Sequence, residues 1–529
     1  MIQKKMLKKL CLAVAATALL TVFFACNKPR WVDNTIEDET NLHIMALERG
    51  YGTNWLKSLS AEFERKNEGV KVHISETVRS EALTNSLESG EKLNDVDIYF
   101  EVMTSSLHGK AAAYKNRFQG YEDGLYDLSE IYKSEIPGED AAFGDKMFAT
   151  VRESLKDDAG KIYGIPWAVG VMGINYNADV LRDALGGSYT LPNTTNELSN
   201  FAAAVKSSGK TPFVYPGQLD QWTYMLYPWW AQYEGTAEFD RFFEGKVYDD
   251  LSGKYIYSKD IFEQQGRLEA LTVLEGLLDA RKEWHPKNVN DYGGQNFRTI
   301  QAQFMVKSQG YAMYPCGDWL AQESANALDS EIRMMKTPVI SSMIWRLDSV
   351  SNDAQLSKIV DYADGRITKG ELLSAYSGIS DKDINEVVSA RNMVYSLAGQ
   401  HIAYMPAYCN AKNLAQKFFL FMASDEGLKI YKNAVKGGFL PFSCDYAELP
   451  IYDNSVAELL KTPHMIVESS RSPLFYKGNV NAFRLALGTV DSLLGAEQGS
   501  KNLQTAQEVF DACKYTESAW QQVMRNSGL

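Results

Sequence analysis

The segment Gly160-Lys-Ile-Tyr-Gly-Ile-Pro-Trp-Ala-Val-Gly-Val-Met-Gly-Ile-Asn-Tyr-Asn-Ala-Asp-Val-Leu181 holds two short apolar runs, 162–166 and 168–176, each of strand length. Pro166 separates them, and a polar helix start follows at Asn177. Gly164, Gly170 and Gly173 leave the backbone bare, which suits close approach by another backbone or by a ligand. Local pattern leaves two readings open: a buried strand pair around one core Trp, or a place where the chain lines a site.

Outward from this segment, strand and helix patterns alternate. Residues 42–48, 70–75 and 96–100 read as strands. Between them, Thr53 is placed to cap a helix carrying Trp55, Leu56, Leu59 and Phe63, and a second helix covers 80–87. Such alternation predicts a parallel or mixed sheet with covering helices. Ligands of open α/β sheets gather beyond the carboxyl ends of strands, which places 48–51 and 100–104 at one rim. Beyond the central segment, 177–185, 195–207, 261–281 and 297–307 read as helices and 211–215 as a strand. The most aromatic stretch is 218–233, with Trp222, Tyr224, Tyr227, Trp229, Trp230 and Tyr233. Trp229 and Trp230 are expected in the core.

Three further segments set the pattern: Ser-Gln-Gly-Tyr-Ala-Met-Tyr-Pro-Cys-Gly-Asp-Trp-Leu at 308–320, helices at 413–422 and 425–434, and Gly438-Phe-Leu-Pro441. Together with Gly-Lys-Ile-Tyr-Gly-Ile-Pro and the following Gly-Ile-Asn-Tyr-Asn, this order resembles the extracellular solute-binding proteins of family 1. These are carbohydrate receptors of ABC importers similar to maltose-binding protein, here in lipoprotein form. The resemblance runs from about residue 42 to the C-terminus. It implies an α/β, two-lobe, periplasmic-binding-protein-like fold of class II, each lobe a mixed sheet flanked by helices and joined by hinge crossovers. The implied division is 41–166 and 310–404 for lobe 1, and 167–309 and 405–529 for lobe 2. An insertion at about 341–399, helical over 379–393, is expected to be dispensable for the fold of the lobes. Helices at 480–494 and 503–524 close the chain.

The resemblance also implies a ligand cleft between the lobes. Sugar receptors stack aromatic rings on C–H faces and set carboxylates or amides against hydroxyls. By alignment to family patterns, Trp167, Trp222 and Trp319 fall where cleft aromatics occur, and Glu101 and Asp318 where polar cleft groups occur. Glu48, Tyr51 and Phe483 complete the candidate ligand-binding set. Trp222 and Trp319 are expected to come from opposite lobes.

Residues 1–9 are basic, and 10–25 form an uncharged run ending in Val22-Phe-Phe-Ala-Cys26. That run is shorter than the roughly 20 residues of a spanning helix and fits a secretory signal. Ala25-Cys26 resembles the lipobox of bacterial lipoproteins, although Phe23 and Phe24 replace the usual Leu and small residue. The expected product is a signal peptide over 1–25, a lipidated Cys26 and a polar tether over 26–40; the other reading of the run is an uncleaved anchor. Either way the remainder lies on the extracytoplasmic face of the membrane.

The chain has 529 residues, too many for one ordinary core. Its apolar content of 45% and charged content of 23% are those of a soluble globular protein. A net charge of −13 argues against nucleic acid and anionic lipid as partners. Past Cys26 the cysteines are Cys316, Cys409, Cys444 and Cys513, too widely spaced for a disulfide framework. Free, mostly buried thiols are expected, with Cys409–Cys444 the one pairing considered.

Residues 204–211 nearly spell a P-loop, but Ala204 stands in place of the first Gly and Pro212 opens a strand. Residues 361–371 approach a calcium loop, yet Val360 and Tyr362 occupy ligand positions, so a helix-joining turn is expected. The six His show no metal spacing. The expected function is therefore a non-enzymatic, lipid-anchored, monomeric receptor without cofactor or metal. It binds an oligosaccharide by hinge closure and delivers it to an ABC permease. The alternatives are a secreted lipoprotein glycosidase, or a receptor for a peptide or another non-sugar solute.

Overall fold

The computed structural model describes residues 36–90, 95–102, 107–117, 122–157, 159–214, 221, 223–278, 297–324, 329–467, 505–512 and 514–529. Its strands in chain order begin with β1 (Asn41–Leu47), β2 (Lys71–Thr77), β3 (Ile98–Val102), β4 (Gly164–Pro166), β5 (Val171–Asn177) and β6 (Thr211–Phe213). They continue with β7 (Lys246–Asp249), β8 (Lys254–Tyr257), β9 (Tyr311–Gly317), β10 (Ile332–Met335), β11 (Met393–Ser396), β12 (His401–Tyr404) and β13 (His464–Val467).

The first sheet has the order β2-β1-β3-β12-β4. β1 buries Leu42, Ile44 and Ala46 on one face and pairs in parallel with β2 and β3, Ile44 facing Ile74 and Ile98. The helix Asn54–Lys66 covers it through Trp55, Leu56, Leu59 and Phe63, which recur at helical spacing. β12 is antiparallel to both β3 and β4. The second sheet runs β13-β11-β5-β9-β6, with β10 also on β5. β5 is buried along its whole length, as a central strand must be. Asn177 caps the next helix by accepting from Val180 N, and Thr194 caps Thr195–Ser207 by accepting from Glu197 N. β7 and β8 form a separate hairpin.

Strand pairing corrects the expected division of the lobes. β9 lies between β5 and β6, and β10 and β11 both pair with β5, so 310–396 belongs to the second sheet and does not return to the first. The chain returns only at 397–400, into β12. Helices Lys412–Ala423 and Asp425–Ala434 then pack on Asn54–Lys66, which puts them with lobe 1 as well. A third passage leads to helix Ile451–Leu459 on β10 and to β13 beside β11. An apolar strand buried on both faces fits either sheet, and only its hydrogen-bond partners choose.

The expected insertion is likewise part of the second lobe. Helices Asp353–Ala363, Lys369–Ala375 and Asp381–Arg391 bury Leu356, Ile359, Val360, Leu372, Ile384 and Val387, and the segment ends in sheet strand β11. Asn193 Nδ2 donates to Asp361 Oδ1 at 3.0 Å, and Arg391 pairs with Asp364 at 2.7 Å. The calcium-like stretch is a helix-joining turn: Gly365 has φ +71°, and Thr368 and Glu371 form a capping box.

The reading of 503–524 as one helix resolves into Ala506–Ala512 and Glu517–Ser527, with Thr516 capping the second. The expected helix at 480–494 lies outside the described residues, as does Cys513. Cys316, Cys409 and Cys444 are free thiols, the first two buried.

Because Leu356 has no exposed surface, Leu356→Ala should cost about 2–5 kcal/mol of stability in denaturant unfolding. Replacing 352–377 by a Gly/Ser linker should abolish the cooperative transition; a linker variant that unfolds like the parent would show that these helices fold independently of the lobe.

Candidate functional site

The lobes meet where the crossing segments lie side by side. In the first, 167–170, Trp167 N donates to His401 O at 2.9 Å and Val169 N to Phe439 O at 2.7 Å. In the second, Leu397 N donates to Gly170 O at 2.9 Å, and Ser396 Oγ to Val169 O at 2.5 Å. Gly170 has φ +61°, and a Cβ there would stand 3.0 Å from Leu397 Cβ, so glycine lets the two passages touch.

Asp318, just past β9, sits at the centre and is fully buried. Its Oδ1 accepts from the Tyr51 hydroxyl at 2.5 Å, and its Oδ2 from Val171 N at 3.1 Å, while Asp318 N donates to Val171 O at 2.9 Å. One side chain thus joins a first-lobe loop, a second-lobe strand end and the first crossover. Burial pushes its carboxyl up to about 7. The third passage closes on it as well: a Cβ on Gly437 would stand 2.0 Å from Asp318 O, and Gly437 N donates to Asp453 Oδ1 at 3.1 Å. Asp453 forms a buried ion pair with Lys432, whose Nζ also donates to Val435 O at 2.8 Å and Gly438 O at 3.2 Å. Burial, the largest influence, holds Lys432 below the usual lysine range despite the Asp453 charge.

Aromatic rings surround this centre. Tyr51 meets Trp167, Trp319 and His401 edge-on, with centroids 6.0, 6.2 and 5.6 Å away. Trp319 continues to Tyr224 at 6.3 Å, and Tyr224 to Tyr395 at 6.4 Å. Trp319 and Tyr224 are half-buried, whereas Tyr51, Trp167, His401 and Tyr395 are buried. A Cβ on Gly317 would lie 2.3 Å from the Trp319 ring, so this glycine lets the indole fold back over the strand end. Burial lowers His401 to about 4, which keeps it neutral.

Of the candidate residues, Tyr51, Trp167, Asp318 and Trp319 therefore come together. Trp167 stacks on Trp55 at 6.0 Å and donates from Nε1 to Glu101 O at 3.0 Å, packed beneath the junction. Glu101 touches the cluster only through that carbonyl. Its buried carboxylate accepts from Leu83 N at 2.8 Å and is pushed up to about 7 by burial. Glu48 is exposed and continues the β1–β2 ladder through its amide. Trp222, Phe483 and Cys26 lie outside the described residues. Trp319 follows a second-sheet strand, which corrects its expected place in lobe 1. Trp229 and Trp230 are buried, each indole N–H donating internally. His401, Tyr395, Lys432 and Asp453 join the site without having been read from the sequence. Tyr224 had a signal, its place in the aromatic stretch.

The family model for bacterial extracellular solute-binding proteins matches residues 58–461. The chain belongs to this family. No curated protein matches it in sequence. Solved structures similar to this solute-binding protein include a family 1 extracellular solute-binding protein from Bifidobacterium longum subsp. infantis, at 15% identity and a TM-score of 0.53. A probable secreted solute-binding lipoprotein from Streptomyces coelicolor is similar at 13% and 0.56, and apo RafE from Streptococcus pneumoniae at 15% and 0.57. Each comparison covers 92% of this chain and 98% or more of the other. At these identities they show the shared fold, a mixed α/β two-lobe architecture.

The raised carboxyl of Asp318 ties stability to pH. Between about 4 and 7 the unfolded chain loses this proton while the folded protein keeps it, so its contribution falls as pH rises, by up to about 1.4 kcal/mol per unit. Asp318→Asn has no such proton. The stability advantage of the parent over Asp318→Asn should therefore narrow between pH 4.5 and pH 7.5 in denaturant unfolding. An advantage that widens would mean that Tyr51, Val171 N and Lys432 stabilise the anion more than burial penalises it.

Proposed function

We propose that this solute-binding protein is a lipid-anchored, extracytoplasmic receptor of an ABC importer that holds an oligosaccharide at the lobe junction, over Trp319 and Tyr224. The observation that carries this reading is the aromatic cluster itself: half-buried Trp319 stands between first-lobe Tyr51 and second-lobe Tyr224. Indole and phenol faces suit the C–H faces of a sugar ring. Contacts from both lobes would favour the closed form, and only that differential affinity shifts the hinge. The closed form is what the permease recognises.

The carboxylates favour a receptor over a glycosidase. A hydrolase sets two carboxyl groups against its substrate. Here Asp318 and Glu101 are buried and already accept hydrogen bonds from Tyr51, Val171 and Leu83. Lipid anchoring is supported by the Ala25-Cys26 junction after the apolar run, and two acyl chains would hold the protein firmly.

Trp319→Ala should weaken binding of a sugar found by thermal-shift screening by about 2 kcal/mol or more. Its unfolding free energy should change less than the roughly 3–5 kcal/mol expected for a core Trp. Calorimetry and denaturant unfolding on the same variant separate the cases; unchanged affinity with collapsed stability would make Trp319 a core residue.

Cys26→Ser should move the protein from the membrane to the soluble fraction. Persistent membrane association of this variant, with residues 1–25 still attached, would establish an uncleaved anchor instead.

A further inference from the structure

Tyr51 holds two successive residues of the other lobe at once. It stands in the loop between β1 and helix Asn54–Lys66. Its hydroxyl donates to Asp318 Oδ1 at 2.5 Å, and its ring meets the Trp319 indole edge-on, with centroids 6.2 Å apart. Asp318 and Trp319 are chain neighbours between the end of β9 and the short helix Leu320–Glu323. Val171 ties Asp318 to its own lobe, its N donating to Oδ2 at 3.1 Å and its O accepting from Asp318 N at 2.9 Å. Tyr51 is the tie to the first lobe. His401 of β12 also comes within 6.5 Å of the indole, but its Nδ1 lies 3.3 Å from Leu397 O and does not hold Asp318.

The loop is built to present this side chain. Gly50 and Gly52 flank Tyr51 at φ +57° and +67°, so the chain turns on both sides of it. Trp55 Nε1 donates to Gly52 O at 3.0 Å and fixes the second turn to the helix. On the far side, a Cβ on Gly438 would stand 2.7 Å from the Tyr51 ring, so the third passage leaves it room. The bond to a buried carboxylate fixes where the phenol lies, and the phenol then limits where the indole can lie. Gly317, under the indole, offers no side chain to hold it, so the neighbouring rings decide its tilt. Tyr51 is 1% exposed and Trp319 is half-buried. A ligand at the junction therefore meets the indole and not the phenol, and what Tyr51 does for binding passes through Trp319.

We infer that Tyr51 is a positioning residue: gripping Asp318 by its hydroxyl and Trp319 by its ring, it lets the first lobe set the orientation of the second-lobe ring on which the sugar is laid. This rests on the oligosaccharide-receptor reading above. Stacking on a sugar depends on the angle of the ring, so an indole released from this grip loses part of the contact.

The test is Tyr51→Phe, which keeps the ring and removes the grip on Asp318. Asp318→Ala removes the same bond from the other side and takes its place if Tyr51→Phe does not fold. Asp318→Asn keeps the grip with roles exchanged, its amide donating to the Tyr51 oxygen while its carbonyl accepts from Val171 N. Parent, Tyr51→Phe, Trp319→Ala and the double variant are titrated by calorimetry with the best binder from a panel of short neutral oligosaccharides of glucose, galactose, fructose and xylose. Trp319 is followed without ligand by fluorine NMR of fluorotryptophan-labelled protein, its resonance being the one missing from Trp319→Phe. The expected result is a loss of affinity of about fivefold or more on Tyr51→Phe in the parent, and of less than about twofold in Trp319→Ala, because the effect passes through the indole. The Trp319 resonance should shift or broaden in Tyr51→Phe and move less in Asp318→Asn. A Tyr51→Phe variant that binds as the parent does, or that loses the same factor in both backgrounds, overturns the positioning role; in the second case Tyr51 acts by its own contact or through the fold. A Trp319 resonance unmoved by Tyr51→Phe overturns it as well. A parent that binds no panel sugar but binds a peptide overturns the oligosaccharide reading, and the resonance, read without ligand, still decides whether Tyr51 sets the indole.

Discussion

One carboxylate out of reach of water joins the parts of this molecule. Asp318 belongs by chain to the second sheet, through β9, yet it accepts from first-lobe Tyr51 as well as from Val171, where the first crossover enters β5. A buried carboxylate without partners would be expensive to keep. The surrounding architecture therefore supplies donors from two separate segments, and each donor is positioned only when its own segment is in place. Gly437 and Gly438 extend this dependence to the third passage: a side chain on the first would strike Asp318 O, and one on the second the Tyr51 ring.

This arrangement joins the two lobes. The crossing segments are tied to one another by main-chain hydrogen bonds, Trp167 to His401, Gly170 to Leu397 and Val169 to Phe439. These bonds hold the backbone of the passages against one another and do not depend on which side chains they carry. Lys432 and Asp453 add a buried ion pair between a first-lobe helix and a second-lobe helix. Breaking such a pair by removing one partner leaves an uncompensated charge, so the pair holds the two lobes together at the junction. Ring packing around it is largely edge-on, which joins the lobes without placing polar atoms against apolar ones.

Much of this was legible from sequence, for reasons that are local. Helix Asn54–Lys66 follows from Trp55, Leu56, Leu59 and Phe63 at helical spacing, and the polar start at Asn177 and the pattern over 195–207 mark helices that the backbone adopts. The crossover follows the Gly-Lys-Ile-Tyr-Gly-Ile-Pro segment because Pro166 ends one strand and the bare Gly170 permits the contact with Leu397. The turn at 361–371 is readable because Gly365 and the Thr368–Glu371 box are sequence-local devices.

Sheet membership and side-chain surroundings were decided by tertiary structure alone. β9 is apolar throughout, so its pattern cannot tell the second sheet from the first, and pairing with β5 and β6 made that choice. The same holds for β11, whose pairing turns an apparent insertion into part of a lobe. A Trp code does not say whether a ring is packed beneath a junction, as Trp167 is, or half-open at it, as Trp319 is. His401, Lys432 and Asp453 had no local signal, because their roles arise from neighbours brought in from distant parts of the chain. The sequence by itself determined the family, the helices with strong periodicity and the place of the first crossover, since each depends on contacts within a few residues. Which sheet each strand joined, and which aromatic and acidic side chains met at Asp318, depended on contacts across hundreds of residues, where one-dimensional pattern carries no distance.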